Sequence, residues 1–246
     1  MKNVLVVGAT STIAQEIARQ YAGEGDRLFL MGRDEGRLAE ITANLGAQVA
    51  GTIVADFNDT SANATRVADA VRALGRLDVA VVAHGWLGDQ VTSEQSFAHA
   101  DDVIRTNFTS VVSFVIPIVN VLEAQRSGTL VVISSVAGDR GRPRNYTYGA
   151  AKGALSLYLQ GVRSRLFGAG VRVVTIRLGP VHTRMTTDHP KNPLFSEPRA
   201  IAAAIVRASR RGPDDVYVPW YWQPIMATVR SLPERLFQRL SFLAGR

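Results

Sequence analysis

Tyr148 and Lys152 stand four residues apart in Tyr148-Gly149-Ala150-Ala151-Lys152, a spacing that brings a phenol and an ammonium to one face of a helix. A cation beside a phenol favours phenolate and lowers a pKa that starts at about 10, so the pair is expected to exchange protons near neutrality. Reduction of a carbonyl or oxidation of an alcohol needs such a group. Ser135 closes the run Leu130-Val131-Val132-Ile133-Ser134-Ser135, which leads into Ala137-Gly138. If that run is a buried strand, Ser135 sits at its carboxyl end, where ligands bind in open α/β sheets, and its hydroxyl can bond a carbonyl oxygen. Asn107, in Arg105-Thr106-Asn107-Phe108, falls in an apolar helical stretch. A buried amide there needs partners, and both a site role and a helix-packing role meet that need.

A second constellation opens the chain. Gly8-Ala9-Thr10-Ser11-Thr12-Ile13-Ala14 follows an apolar run and starts a helical pattern, the context a dinucleotide-binding turn requires. Gly8 permits the tight turn, and a pyrophosphate there would meet free N–H groups and the positive end of a helix dipole. Thr12 and Ala14 stand where the usual pattern has its second and third glycines. The next run ends in Leu30-Met31-Gly32-Arg33 with no carboxylate to accept bonds from a ribose 2′-hydroxyl. Arg33, with Arg37 behind it, offers a cation to a 2′-phosphate, so NADP(H) is the preferred cofactor and NAD(H) the second.

These groups must be held by a scaffold. Val4–Val7, Leu28–Met31, Gln48–Val54, Val79–Ala83, Leu130–Ser134, Val171–Arg177 and Val216–Val218 read as short β-branched strands, with amphipathic segments between them. The runs are apolar almost throughout, as when helices cover both faces of a parallel sheet, and the alternation specifies an α/β, Rossmann-type doubly wound sheet in three layers. A Pro-rich loop from Leu178 to Pro198 and a helix from about Glu197 to Arg210 follow. We divide the chain into a dinucleotide-binding and catalytic domain, 1–219, and an aromatic and basic tail, 220–246. In the tail Leu236, Phe237, Leu240, Phe242 and Leu243 alternate with Arg235 and Arg239.

Composition excludes other chemistries. The 246 residues contain no cysteine and four scattered histidines, which removes disulfides and thiolate chemistry and leaves little for a metal. The N-terminal apolar run ends in a glycine turn and not a cleavage site, so we read it as a buried strand. A net charge of +7 favours anionic partners, yet no nucleic-acid signature and no bilayer-spanning run of 18 uncharged apolar residues accompanies it.

Jointly these residues resemble the short-chain dehydrogenase/reductase family from Val4 to about Val218. The likeness rests on the Gly8 turn, Asp56 after the third strand, Asn107, Ser135, the Tyr148/Lys152 pair and Arg177-Leu178-Gly179-Pro180-Val181-His182-Thr183. It implies Tyr148 as the acid/base and Ser135 as the group orienting the substrate carbonyl. Lys152 would bind the nicotinamide ribose and lower the phenol pKa, and Asn107 would hold a proton-relay water. The implied cofactor contacts are Gly8, Thr10, Ser11, Thr12, Ile13, Arg33, Asp56, Ala83, His84, Gly85, Tyr148, Lys152, Gly179, Val181 and Thr183, with Asp56 at the adenine and Thr183 at the nicotinamide amide. Departures are Thr12 and Ala14, Val82-Ala83-His84-Gly85 in place of Asn-Asn-Ala-Gly, and Leu178 in place of a common proline. His84 either lines the nicotinamide ribose pocket or satisfies a strand-end hydrogen bond.

Within the family, Trp86-Leu87-Gly88-Asp89, Ser135 to Arg142, Asn145 to Gly149 and Leu232 to Leu240 resemble the decaprenylphosphoryl-2-keto-pentose reductases of cell wall polysaccharide biosynthesis. That likeness implies a polyprenyl-phosphate-linked keto-sugar substrate, with Arg140, Arg142 and Arg144 holding the phosphodiester in guanidinium forks. It also implies a cytoplasmic enzyme, peripheral at the inner face of the membrane through its tail. The tail reads equally as a lid over the cleft or a subunit contact. Competing functions are a general ketone/alcohol oxidoreductase on a soluble metabolite and a non-catalytic dinucleotide sensor. The family pattern implies a homodimer or homotetramer, with Asp102–Leu122 and Gly149–Phe167 as candidate contacts.

Overall fold

The structure is a computed structural model that describes residues 1–187 and 193–240. Phe242 and Leu243 of the tail, and residues 188–192 of the Pro-rich loop, lie outside the described residues. Seven strands, β1 (Asn3–Val7), β2 (Arg27–Gly32), β3 (Val49–Val54), β4 (Val79–Val82), β5 (Gly128–Ser135), β6 (Val171–Leu178) and β7 (Asp215–Val218), form one sheet. Their order is β3-β2-β1-β4-β5-β6-β7, and every neighbouring pair is parallel. The α-helices among the described residues are α1 (Thr12–Gly23), α2 (Glu35–Leu45), α3 (Asn63–Leu74), α4 (Gln90–Gln95), α5 (Phe97–Ile104), α6 (Ser110–Gln125), α7 (Tyr146–Leu166), α8 (Pro198–Arg210), α9 (Trp222–Ser231) and α10 (Glu234–Arg239). This is the three-layer, doubly wound α/β architecture that the alternating pattern predicts.

Strand side chains alternate between two cores because the pleat has a period of two. Val4, Val6, Leu28, Leu30, Val79, Val81, Val131 and Ile133 pack on α1, α2 and α8. Leu5, Val7, Phe29, Met31, Ala80, Val82, Leu130 and Val132 pack on α3, α6 and α7. Both faces are buried, so a polar side chain inside a central strand needs a partner, as Thr175 of β6 finds in Arg163 at 2.8 Å.

From β1 the chain winds outward to β2 and β3, then crosses to β4 and continues the other way. The order therefore reverses between β1 and β4, and a crevice opens at their carboxyl ends. The continuous helical stretch Phe97–Gln125, which joins α5 to α6 through a π-helical turn at Arg105–Thr109, is long and apolar enough to cross a membrane. Its apolar content goes into the core instead: Phe114, Val115, Ile118, Val119 and Leu122 are buried against the sheet.

The tail folds back onto the sheet end. Trp222, Met226 and Val229 of α9 and Phe237 of α10 make a small third cluster with Val136. This cluster sits over the connection between β5 and α7.

Candidate active site

Three segments meet at the crevice. The first is the turn after β1. Gly8 has φ +87, and a Cβ there would lie 2.7 Å from the His84 backbone nitrogen, so a glycine is demanded both by conformation and by the close approach of the β4 end. Ser11 caps α1, its Oγ accepting from Ala14 N at 3.2 Å, which leaves the other N-terminal amides of the helix facing the crevice.

The second segment is β5 with the turn that follows it. That turn lies backbone to backbone on α7: a Cβ on Gly138 would be 2.6 Å from Gly153 N. The contact brings Ser135 beside Tyr148 in the cleft wall, with the Ser135 hydroxyl donating to the Leu178 carbonyl at 3.4 Å. Ser135 Oγ also accepts from Ala137 N at 3.1 Å, which fixes its rotamer.

The third is α7 itself. Lys152 is 3% exposed, and Nζ donates to the Ile133 carbonyl at 3.0 Å, 5.8 Å from the centre of the Tyr148 ring. An ammonium has three donors, so two remain for the cleft that Lys152 lines. Burial lowers the Lys152 pKa to about 8. Burial also raises the Tyr148 phenol to about 12, against the smaller opposing effect of the nearby Ser135 hydroxyl. The lowering expected from the Tyr148/Lys152 spacing is absent: desolvation dominates, only Ser135 opposes it, and the phenol is held in its protonated form.

The cleft has a volume of about 1000 Å³. Its walls include the Gly8–Ile13 turn, Arg33, Asp56, Ala83, His84, Gly85, Ser135, Tyr148, Lys152, Gly179, Val181 and Thr183, so one space joins the two constellations seen in the sequence. Arg33 carries no carboxylate partner among the described residues, whereas Arg37 is paired with Asp34 at 3.2 Å. His84 meets Ser110 Oγ through Nε2 at 2.8 Å and lies between the Phe57 and Phe114 rings. Ser110 Oγ donates to the Thr106 carbonyl at 2.9 Å, so its one proton is spent and His84 must donate from Nε2. Burial first, then the Lys152 and Arg33 charges, lower the His84 pKa to about 3, and the ring stays neutral.

Two candidate side chains are engaged away from the cleft. Asn107 does not line the cleft: at 0% exposure its Nδ2 donates to the carbonyls of Trp86 (2.5 Å) and Val103 (2.8 Å), and Oδ1 accepts from Trp86 N (3.1 Å). Its amide is consumed in anchoring the β4–α4 loop. Arg140 is not available to a phosphodiester either, because it donates to the Val229 and Leu232 carbonyls (2.8 and 2.6 Å), pairs with Glu234 and covers the Phe237 ring. Arg142 and Arg144 do line the cleft. Trp222 and Arg184 also join its wall: Arg184 directly follows the Arg177–Thr183 motif, whereas Trp222 comes from α9, which carries none of the site motifs.

The donor set fits a dinucleotide. It offers a helix N-terminus for a pyrophosphate, an unpaired guanidinium at the β2 end for a phosphate and a two-donor ammonium for ribose hydroxyls. Comparison with known proteins agrees. The short chain dehydrogenase family model matches residues 2–193. An uncharacterized oxidoreductase of Mycobacterium tuberculosis is 36% identical over 240 residues, covering 96% of each chain. Another from Streptomyces coelicolor is 36% identical over 244 residues, covering 97% of this chain and 96% of its own. Levodione reductase superposes with a TM-score of 0.79 at 25% identity, over 87% of this chain and 95% of its own. A short chain dehydrogenase from Burkholderia cenocepacia, solved in complex with NADP, superposes with a TM-score of 0.82 at 19% identity over 96% of each chain. The chain belongs to the short-chain dehydrogenase/reductase family of oxidoreductases.

Proposed function

We propose that the protein is an NADP(H)-preferring carbonyl reductase in which Tyr148 is the proton donor. The observation that carries this reading is the meeting of the Tyr148–Ser135 hydroxyl pair, the buried Lys152 ammonium and the Gly8 turn in one cleft. The nicotinamide cofactor supplies the hydride when bound. Gly8, Thr10, Ser11, Thr12 and Ile13 would hold its pyrophosphate and Arg33 its 2′-phosphate, with Asp56 at the adenine. Lys152 would hold the nicotinamide ribose and Thr183 the carboxamide, with Ala83, His84, Gly85, Gly179 and Val181 completing the wall.

Ser135 donates a hydrogen bond to the substrate carbonyl oxygen and orients it. As that oxygen takes on alkoxide character it becomes a stronger base than phenolate and takes the Tyr148 proton. Lys152 stabilises the phenolate left behind. A phenol protonated at neutral pH suits this direction, and the reverse reaction needs the same groups in the opposite sense.

For the substrate we propose a keto-sugar carried on a polyprenyl phosphate, used in cell wall polysaccharide biosynthesis. Arg142 and Arg144 support an anionic group near Tyr148, since both line the cleft and neither has a carboxylate partner among the described residues. Trp220 (76% exposed) and Leu236 would make the peripheral contact with the inner face of the membrane. The cytoplasmic face of the membrane is then the site of action. Exposed Ile116, Leu157 and Phe167 on α6 and α7 and the turn after them support a homodimer or homotetramer.

The experiment is a titration of the protein with NADPH and NADH by quenching of its fluorescence. A charge-assisted bond from Arg33 should favour NADPH by about tenfold or more. Arg33→Ser should erase that preference. Equal affinities in the wild type would refute the role of Arg33, and binding of neither nucleotide would refute the proposal.

A further inference from the structure

We propose that Trp86 is a stacking platform for the ring of a carbohydrate substrate. The inference deepens the reading of the cleft as a carbonyl reductase site and rests on it for the place of the reacting carbonyl. Trp86 lies four residues past the β4 end, lines the same cleft as Tyr148 and is 39% exposed. A large indole left partly wet in the wall of a cleft is a ready site for burial against a ligand.

The platform is rigid before any ligand arrives. Both peptide groups of Trp86 are held by one buried side chain, Asn107, whose amide accepts from Trp86 N at 3.1 Å and donates to Trp86 O at 2.5 Å. Asn107 is in turn tied to the Val103 carbonyl at the π-helical turn. The His99 ring meets the indole at 5.0 Å and 62°. Ser93 Oγ donates to the Asp89 carbonyl at 2.9 Å and so accepts from His99 Nδ1 at 2.9 Å, which locks the imidazole in turn. A fixed aromatic loses little freedom on binding, so its stacking energy is retained.

The surroundings choose the ligand class. A sugar ring presents a face of C–H groups and a rim of hydroxyls. The indole suits the face. For the rim, the same wall holds Asp89, Asn145, Arg142 and Arg144. Asp89 uses Oδ1 to cap α4, accepting from Thr92 N at 2.7 Å and from Thr92 Oγ1 at 2.6 Å, and its other carboxylate oxygen makes no hydrogen bond among the described residues. A purely apolar ring would leave these charged and amide groups unmatched.

The test uses D-ribose 5-phosphate, a ring that is bound without being a ketone substrate, titrated calorimetrically into the full chain with and without NADP⁺. Trp86→Phe should bind within about threefold of wild type, and Trp86→Leu should weaken binding about tenfold or more, as loss of an aromatic anchor does. Inorganic phosphate should bind all three proteins alike. Proton NMR of the sugar with wild-type protein should show upfield ring-current shifts at the ring C–H groups, a readout that needs no variant. Undiminished binding by Trp86→Leu, absence of ring-current shifts, or failure of the wild type to bind the sugar phosphate would each overturn the platform. A wild type that binds the sugar phosphate but no NADP⁺ would overturn the cofactor reading alone.

Discussion

Arg140 joins the tail to the loop that precedes Tyr148, and its removal should release the tail without unfolding the sheet. Its guanidinium donates to the Val229 carbonyl at 2.8 Å and the Leu232 carbonyl at 2.6 Å, and lies 4.2 Å from the centre of the Phe237 ring. Hydrogen bonds from a charged donor contribute about 1.5–3 kcal/mol each and a cation over an aromatic about 1 kcal/mol. The ion pair with Glu234, a side chain 70% exposed, adds less than about 1 kcal/mol. Because these contacts share one group and are not additive, Arg140→Ala should weaken docking of α9 and α10 by about 4 kcal/mol. Amide hydrogen exchange over residues 222–239 should then speed up by about a thousandfold, while β1, β4 and β5 keep their protection. Trp222 leans on Gly179, where a Cβ would lie 2.1 Å from the indole nitrogen, so the cleft should loosen at that wall. The KM for a carbonyl substrate should rise more than the Kd for NADPH. Exchange in 222–239 within about threefold of wild type would refute the clamp.

The other predictions concern protons and the first turn. The unfolded chain protonates His84 at about pH 6.5, whereas the folded chain, with its pKa at about 3, does not, so stability falls by up to about 1.4 kcal/mol per pH unit as pH drops below 6.5. His84→Phe should flatten that slope in urea unfolding between pH 4.5 and 7.5 on the order of one proton's worth, and unchanged slopes would contradict the neutral imidazole. Lys152, lowered to about 8, binds its proton more weakly in the folded state than in the unfolded one. Wild type should therefore gain stability relative to Lys152→Met as pH rises from about 8 to about 10, and parallel curves would contradict its burial. Gly8→Ala places a side chain at φ +87 against the His84 backbone and should cost about 2 kcal/mol or more, lowering Tm and weakening NADPH binding; an unchanged Tm would show that the turn can relax.

The sheet was legible because most strands are apolar almost throughout and the crossover segments between them are helical in pattern. Local rules also placed Ser135 at a strand end and Tyr148 and Lys152 on one helical face. What they missed is long-range. Asn107 read as a candidate for a water or for packing, but its true partners, the Trp86 peptide groups, lie 21 residues away in the chain. The leucines, phenylalanines and arginines of the tail read as amphipathic, yet Phe237 is covered by Arg140 from the β5–α7 loop. A cation four residues from a phenol promised a lowered pKa, because spacing reports the charge and not the loss of water around both groups.

If the Tyr148 hydroxyl supplies the proton in carbonyl reduction, its removal must slow that step. Tyr148→Phe removes that oxygen and keeps the ring that fills the wall. With NADPH and a panel of keto-sugars, single-turnover reduction should fall by about 10²–10⁴-fold while NADPH affinity stays within about threefold. Reduction by Tyr148→Phe at the wild-type rate would contradict that role.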